Sequence, residues 1–358
     1  MKTIPKILLS GGPGGGKSHA LGFLKKALTE FGYTVYLVEE SATKVLERGF
    51  DRSCPALEFQ TEIARLQLKM EAEVDSIEDD GRSVIICDRG LMDCRVYLDD
   101  DDFEAIKQEL KLSDIDMRDR YDAVFHLDST STNKDVNYHT GEIRIENRQE
   151  AKSINERSLR AWCGNPHYRF IPVCDTIDEK LNRLLSEVKA FLGIPKPLEI
   201  ERKFLIKYPD LDYLGKLVCR MAEIEQTYLV DQNGKYRLRK RGEGDSVIYI
   251  RTEKKKITET VREEVETRLT EAEYNEQLNN GLKLGSISKK RYCVMYGGVY
   301  YEIDIFPFWK NQAFLEVELL SENDEVIIPE FIDVIKEVTS DSRYRNFAMC
   351  NSVPDEEH

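Results

Sequence analysis

Apolar residues follow two different rhythms along the 358-residue chain, and the change of rhythm divides it. Up to about Leu192, short apolar runs (Ile7–Ser10, Thr34–Val38, Val84–Asp88, Ala123–Leu127 and Arg169–Val173) alternate with stretches of helical spacing. Among the latter are Lys17–Phe31, Leu57–Glu78 and Asp178–Phe191. Strands separated by helices need crossover connections, which give a parallel sheet with helices on both faces. Gly193-Ile194-Pro195-Lys196-Pro197 then ends the last helix, because proline cannot continue one and keeps its predecessor extended. Beyond it the period becomes two, with turn signals at Gln232-Asn233-Gly234, Gly242-Glu243-Gly244 and Gly297-Gly298. The pattern predicts an α/β domain over residues 1–193, a linker at 194–198 and an antiparallel β-sheet or β-barrel domain (α+β) over 199–350. The second domain carries a helix near Glu271–Asn279, and an acidic tail follows at 351–358.

Composition narrows the classes. Hydrophobic residues at 41% and charged residues at 33% suit a globular protein. The first apolar run, Ile7–Leu9, is too short for a signal peptide core or a membrane span, so a cytoplasmic chain with no transmembrane segment is expected. A net charge of −14 opposes nucleic acid at long range, and no nucleic-acid partner is expected. The eight cysteines form no Cys-x-x-Cys pair, which favours reduced core thiols over zinc or disulfides. His126, His139 and His167 lack ligand spacing, and the aromatic patch Tyr300, Tyr301, Phe306, Phe308, Trp309 reads as core. The acidic runs Asp99–Asp102 and Asp355–Glu357 read as solvated.

Gly11-Gly12-Pro13-Gly14-Gly15-Gly16-Lys17-Ser18 is a Gly-x4-Gly-Lys-Ser run between a predicted strand and a predicted helix, the context that a P-loop requires. Its glycines let backbone N–H groups turn toward phosphate oxygens, and the helix N-terminus adds positive potential. Lys17 then reaches the β- and γ-phosphates of ATP or GTP, and Ser18 holds Mg²⁺. Asp88 ends an apolar strand, where it either holds the metal's water shell or caps a helix. Glu39 and Glu40 end the second strand, where one of them can orient an acceptor hydroxyl or water, or simply precede a helix. Arg144 and Arg148 open a charged helix that serves either as a lid over the phosphates or as a solvated face. Asn133-Lys134-Asp135-Val136 misses the guanine-binding spacing by one position and is taken as chance. This half resembles the P-loop kinase-like group, such as thymidylate kinases and nicotinamide-riboside kinase-like AAA domains, although no acceptor pocket is legible.

In the second half, charged residues take alternate positions. Glu199/Glu201/Lys203, Arg237/Arg239, Thr252/Lys254, Arg262/Glu264/Glu266, Lys289/Arg291, Glu302/Asp304 and Glu316/Glu318 recur, with Leu238, Val265, Ile303 and Val317 between them. Either these groups face a shared hollow or they form salt-bridged strands on an outer surface. A hollow holding both signs suits a metal-complexed polyphosphate: arginine and lysine grip phosphate, and carboxylates hold Mg²⁺ or Mn²⁺. Glu199-x-Glu201-x-Lys203, Lys289-x-Arg291, Glu302-x-Asp304, Leu315-Glu316-Val317-Glu318 and Arg343-Tyr344-Arg345-Asn346 resemble the CYTH, or triphosphate tunnel metalloenzyme, superfamily. That superfamily includes thiamine triphosphatases, inorganic triphosphatases and class IV adenylyl cyclases.

The resemblance implies Glu199, Glu201 and Glu318 as metal ligands. It implies Lys203, Arg237, Arg239, Lys254, Arg262, Lys289 and Arg291 as phosphate binders, with Glu264 or Glu266 orienting a water for hydrolysis. The order P-loop then CYTH also resembles the insect translocation-defective group of photoreceptor trafficking proteins. The likeness is carried by Gly11–Ser18, Glu39-Glu40-Ser41-Ala42, Asn165-Pro166-His167-Tyr168-Arg169 and the second half, and it implies binding of GTP and phosphorylated lipid head groups. The expectation is a phosphate-handling protein with a nucleotide at the P-loop and hydrolysis of a triphosphate compound in the tunnel. The alternatives are a nucleotide switch whose tunnel binds phosphoinositide without turnover, and a nucleoside or nucleotide kinase.

Overall fold

A computed structural model describes residues 4–51, 53–132, 147–194, 200–232, 234–256, 262–321 and 323–357, with backbone alone at 254–256 and 262–265. Arg144, Glu199, Asn133-Lys134-Asp135-Val136, His139 and the prolines of the linker lie outside the described residues. The chain divides into two compact units, 1–192 and 193–358.

The first unit runs β1 (Lys6–Ser10), α1 (Lys17–Glu30), β2 (Thr34–Val38), α2 (Ser41–Glu47), α3 (Ala56–Asp75) and β3 (Ser83–Asp88). After a 3-10 turn (Leu91–Val96) come α4 (Asp100–Leu110), α5 (Asp114–Arg118), β4 (Ala123–Leu127), α6 (Arg148–Trp162), β5 (Tyr168–Ile171) and α7 (Ile177–Phe191). The five strands form a parallel sheet in the order β2-β3-β1-β4-β5. β1, β3 and β4 are buried along their whole length, as their unbroken apolar runs require. α1 buries Ala20, Leu24 and Leu28, one face of a helix. The Asp99–Asp102 run faces solvent, as expected, and also starts a helix. Asp99 caps α4 by accepting from the Asp102 N–H, and the next three acids sit in the first turn, where the helix dipole favours them.

A buried carboxylate ties three parts of this unit together. Glu71 of α3, fully buried, accepts from Tyr121 Oη at 2.6 Å, Arg120 Nε at 2.7 Å, Gln67 Nε2 at 2.8 Å and Lys6 Nζ at 3.4 Å. His126 is buried and stacked on Phe170, with burial pushing its pKa down to about 3, which agrees with a structural reading.

The second unit runs β6 (Ile200–Lys207), α8 (Leu211–Leu214), β7 (Val218–Asp231), β8 (Gly234–Glu243), β9 (Ser246–Lys256), β10 (Arg262–Leu269) and α9 (Glu271–Asn280). It continues with β11 (Leu282–Tyr296), β12 (Val299–Ile305), β13 (Gln312–Leu319), β14 (Val334–Glu337) and α10 (Asn346–Met349). All nine strands are antiparallel, in the order β10-β9-β8-β7-β11-β12-β13-β6-β14. One face packs a core of Phe204, Ile206, Val294, Ile303, Leu315 and Val317, and farther along Leu229, Tyr236 and Leu238 pack with Tyr274 of α9.

The acidic tail faces solvent at Asp355 and Glu357, as expected, and is also tied down. Glu356 accepts from the Asn311 backbone N–H at 3.0 Å and from Asn311 Nδ2 at 2.8 Å, while Trp309 Nε1 donates to the Pro354 carbonyl at 3.0 Å. Among the described residues no helix is long and apolar enough to cross a membrane.

Candidate functional sites

In the first unit the glycine run links the buried end of β1 to α1, at the carboxyl ends of the strands where open α/β sheets bind ligands. Gly11 has φ +129, and a Cβ there would lie 2.2 Å from the Leu127 carbonyl oxygen; only glycine lets the loop lie against β4. α1 has no side-chain cap and no acid in its first turn, so its leading N–H groups are left for a ligand. The loop is braced from behind. Asn155 accepts from the Gly12 N–H at 3.0 Å and donates to Asp128 at 2.8 Å. Lys180 Nζ donates to the Gly15 carbonyl at 2.8 Å and also to the Asp128 carbonyl, and Ser129 Oγ donates to the Pro13 carbonyl. Sequence reasoning missed these braces, because they come from α6, α7 and the end of β4 and no local pattern joins them to the loop.

Lys17 arches over the loop, donating to the Gly11 and Gly12 carbonyls at 2.7 and 3.1 Å. Burial, helped by the positive charge of Arg89, brings its pKa down to about 7. Ser18 is exposed beside it. Asp88 is buried at the end of β3; it caps no helix, since Gly90 starts the following turn, and its Oδ1 has no hydrogen-bond partner. Burial raises its pKa against the pull of Lys17. Arg89 takes a left-handed backbone (φ +66), rare for a side chain other than Gly and Asn, and its Nε donates to Glu40 Oε1 at 2.8 Å. These groups open onto a cavity of about 690 Å³. Arg148 starts α6, behind the cap Asn147, and is not among the residues lining this cavity.

In the second unit, strand register decides which side chains share a face, because directly opposed residues point the same way. Glu201 pairs with Glu318 and Lys203 with Glu316; Glu316 pairs with Glu302 and Asp304 with Arg291. The line continues from Lys289 to Ile224 and from Gln226 to Arg239. Arg237 pairs with Thr252, which in turn pairs with Glu266. Positions 254, 262 and 264 fall in the same register, their side chains lying outside the described residues. The charged residues therefore share one face and the apolar core lies on the other.

That face is sorted. On its β6–β13 side, Arg291 donates to Asp304 at 2.6 and 2.7 Å and also pairs with Glu302 and Glu316, while Lys289 pairs with Asp304. Lys203 pairs with Glu316 at 2.7 Å. Burial works against the ionised form of Glu316, but Lys203, Arg291 and Lys289 hold it well below the usual carboxylate range. Burial and the Glu316 charge push Glu201 up to about 8. On the β8 side, Arg237 and Arg239 each have a buried Nε without a hydrogen-bond partner, and burial beside Arg237 lowers Arg239 to about 10. Arg237 also donates to Thr252 at 3.2 Å and lies 3.5 Å from Glu266.

Among the described residues no three His, Cys, Asp or Glu side chains already converge on a metal position. The charge of the site nonetheless fits a cation: a divalent ion would relieve the crowding of Glu201 against Glu316. Leu205, Ile287, Phe306, Trp309, Phe314 and Tyr344 form an apolar cluster that alternation alone did not announce.

Geometry thus defines a P-loop phosphate-binding unit joined to an antiparallel unit with a charged inner face. The chain carries an N-terminal AAA domain, matched over residues 6–180, and a C-terminal CYTH domain, matched over residues 197–340. It is similar to two crystal structures of NE1496. One, described as a hypothetical protein, is 30% identical and covers 44% of this chain and 100% of that chain, with TM-score 0.32. The other, described as the inorganic triphosphatase NE1496, is 27% identical over 44% and 97%, with TM-score 0.31. NadR in complex with NR is 15% identical over 53% of this chain and 52% of that chain, with TM-score 0.40, so the chain spans about half of NadR. No curated protein matches the chain.

Proposed function

We propose that the second unit binds a linear triphosphate compound with Mg²⁺ or Mn²⁺ and hydrolyses its terminal phosphoanhydride, and that the first unit binds ATP or GTP. The observation that carries this reading is the sorted face, with carboxylates clustered on the β6–β13 side and unsatisfied arginines on β8. Arg237 and Arg239, joined by Lys254, Arg262, Lys203, Lys289 and Arg291, neutralise the phosphates. Glu201 and Glu318, with Glu199, hold the metal ion, which when bound offsets charge on the phosphate oxygens. Glu266 or Glu264 orients a water and takes its proton. Its oxygen bonds to the terminal phosphorus, the bridging P–O bond breaks, and the diphosphate leaves with the electron pair. In the P-loop, Lys17 grips the β- and γ-phosphates, while Ser18 and Asp88 hold Mg²⁺. A bare phosphoinositide site would need mostly lysine and arginine; the carboxylates on this face favour a metal-complexed ligand.

Phosphate release from tripolyphosphate, thiamine triphosphate, ATP and GTP, with either metal, tests the reading on Lys17→Ala and Glu201→Gln separately. Loss of turnover in Glu201→Gln alone is expected for the tunnel substrate. Loss in Lys17→Ala alone would move catalysis to the P-loop.

A further inference from the structure

The glycine loop does not offer all of its amides to the cavity. The Gly12 N–H is spent on Asn155 at 3.0 Å, and the Gly15 N–H on the Gly12 carbonyl at 3.2 Å. Among the described residues no acceptor meets the N–H of Gly14 or of Gly16. Both of these glycines have a left-handed backbone, φ +79 and +86, on either side of Gly15, which does not. Such alternation turns amides to one side and makes an anion-binding concavity.

What sets that direction lies behind the loop. In a trans peptide the C=O and the N–H point opposite ways, so fixing one carbonyl aims the amide of the next residue. The Gly15 carbonyl, which shares a peptide with the Gly16 N–H, accepts from Lys180 Nζ at 2.8 Å. The Pro13 carbonyl, which shares a peptide with the Gly14 N–H, accepts from Ser129 Oγ. Lys180 is 4% exposed and Ser129 is fully buried, and neither lines the cavity that the loop opens onto. Each holder is itself fixed. Lys180 also donates to the Asp128 carbonyl, just past β4. Ser129 Oγ accepts from the Ser131 N–H at 3.1 Å and from the Ser131 hydroxyl at 2.8 Å, which leaves its own proton for Pro13.

We propose that Lys180 and Ser129 are positioning residues of the nucleotide site, Lys180 acting through the Gly16 amide and Ser129 through the Gly14 amide. The two differ in what they add. Ser129 orients its peptide with a neutral hydrogen bond. Lys180 orients and also polarises: an ammonium on the carbonyl oxygen draws electron density along the peptide and makes the N–H at its far side a stronger donor to phosphate. Because both stand behind the loop, they strengthen the cradle without touching the ligand.

This inference rests on nucleotide binding at the P-loop, so calorimetry of the unaltered protein with Mg²⁺–ATP and Mg²⁺–GTP at pH 7 comes first. Failure of both to bind overturns the nucleotide reading itself. With the tighter nucleotide, Lys180→Met should weaken affinity by about tenfold or more and Ser129→Ala by about threefold. A damaged fold would also weaken binding, so the glycine amides are labelled with ¹⁵N and their proton shifts followed as nucleotide is added. In the unaltered protein both the Gly14 and the Gly16 amides should move downfield. Lys180→Met should shrink the Gly16 movement and spare that of Gly14, and Ser129→Ala should do the reverse. A general loosening of the loop gives no such crossover. Should Lys180→Met fail to fold, Lys180→Gln, which keeps a donor without the charge, takes its place with the same expectations. Affinities within about twofold of the unaltered protein in both variants overturn the proposal. So does an equal loss of movement at the two amides in either variant, since the braces would then only hold the loop together.

Discussion

Lys17 offers a test of the phosphate cradle that does not depend on turnover. Its pKa of about 7 lies well under the ordinary 10.5 because burial and Arg89 disfavour the ammonium. The full gap is worth about 5 kcal/mol, and since Lys17 keeps partial contact with water, roughly 2–3 kcal/mol is the expected penalty on the empty fold. The sign follows from proton counting. Below pH 7 both folded and unfolded chains hold the proton and the penalty is complete. Between about 7 and 10.5 the unfolded chain holds more protons, so stability rises with pH across that window.

Nucleotide phosphates reverse the balance by returning the lysine to its charged form. Binding of Mg²⁺–ATP at pH 8 should therefore take up about 0.9 proton, falling to about 0.5 at pH 7. Affinity should weaken about fivefold from pH 7 to 8 and about tenfold from pH 8 to 9. Calorimetry at pH 8 in two buffers of different ionisation enthalpy reads the proton directly, and Lys17→Met should abolish the buffer dependence. Tight binding with equal heats in both buffers would refute the placement of Lys17 in a dry cradle.

Other outcomes are expected from the same geometry. Glu71→Ala takes the shared acceptor from Arg120 and Tyr121, while Lys6 keeps Asp75, and should cost about 3 kcal/mol, seen as a lower melting temperature of the first unit followed through Trp162 in a Trp309→Phe background. Gly11→Ala forces a Cβ into the Leu127 carbonyl at a left-handed backbone and should destabilise by about 2–4 kcal/mol while abolishing nucleotide binding by calorimetry. Arg291→Met removes the cation from Glu302, while Asp304 keeps Lys289 and Glu316 keeps Lys203, and should destabilise the second unit, followed through Trp309, by about 3 kcal/mol.

Periodicity carried most of the fold. The five strands of the first unit fall within a residue or two of the runs that announce them, and the period-two half is antiparallel throughout. The glycine run was legible because its chemistry is local: a strand, a loop and a helix start in unbroken sequence. What escaped was assembled from afar. Asn155 and Lys180 brace the loop across more than a hundred residues. Asp99–Asp102 is solvated as its charge implies, but charge alone does not announce its second role, that the N-terminus of a helix welcomes acids. In the second unit, Glu316 stood out only as part of an alternation; register makes it the partner of both Lys203 and Arg291.

The pairing of Arg291, Lys289 and Lys203 with carboxylates bears on how this face exchanges its contents. On the proposed reading those carboxylates stand where phosphate oxygens would bind. An incoming anion would then have to displace them, and an accompanying cation would give the displaced groups somewhere to turn. Entry without a metal would leave those carboxylates unmatched, so the proposed site would disfavour bare polyphosphate.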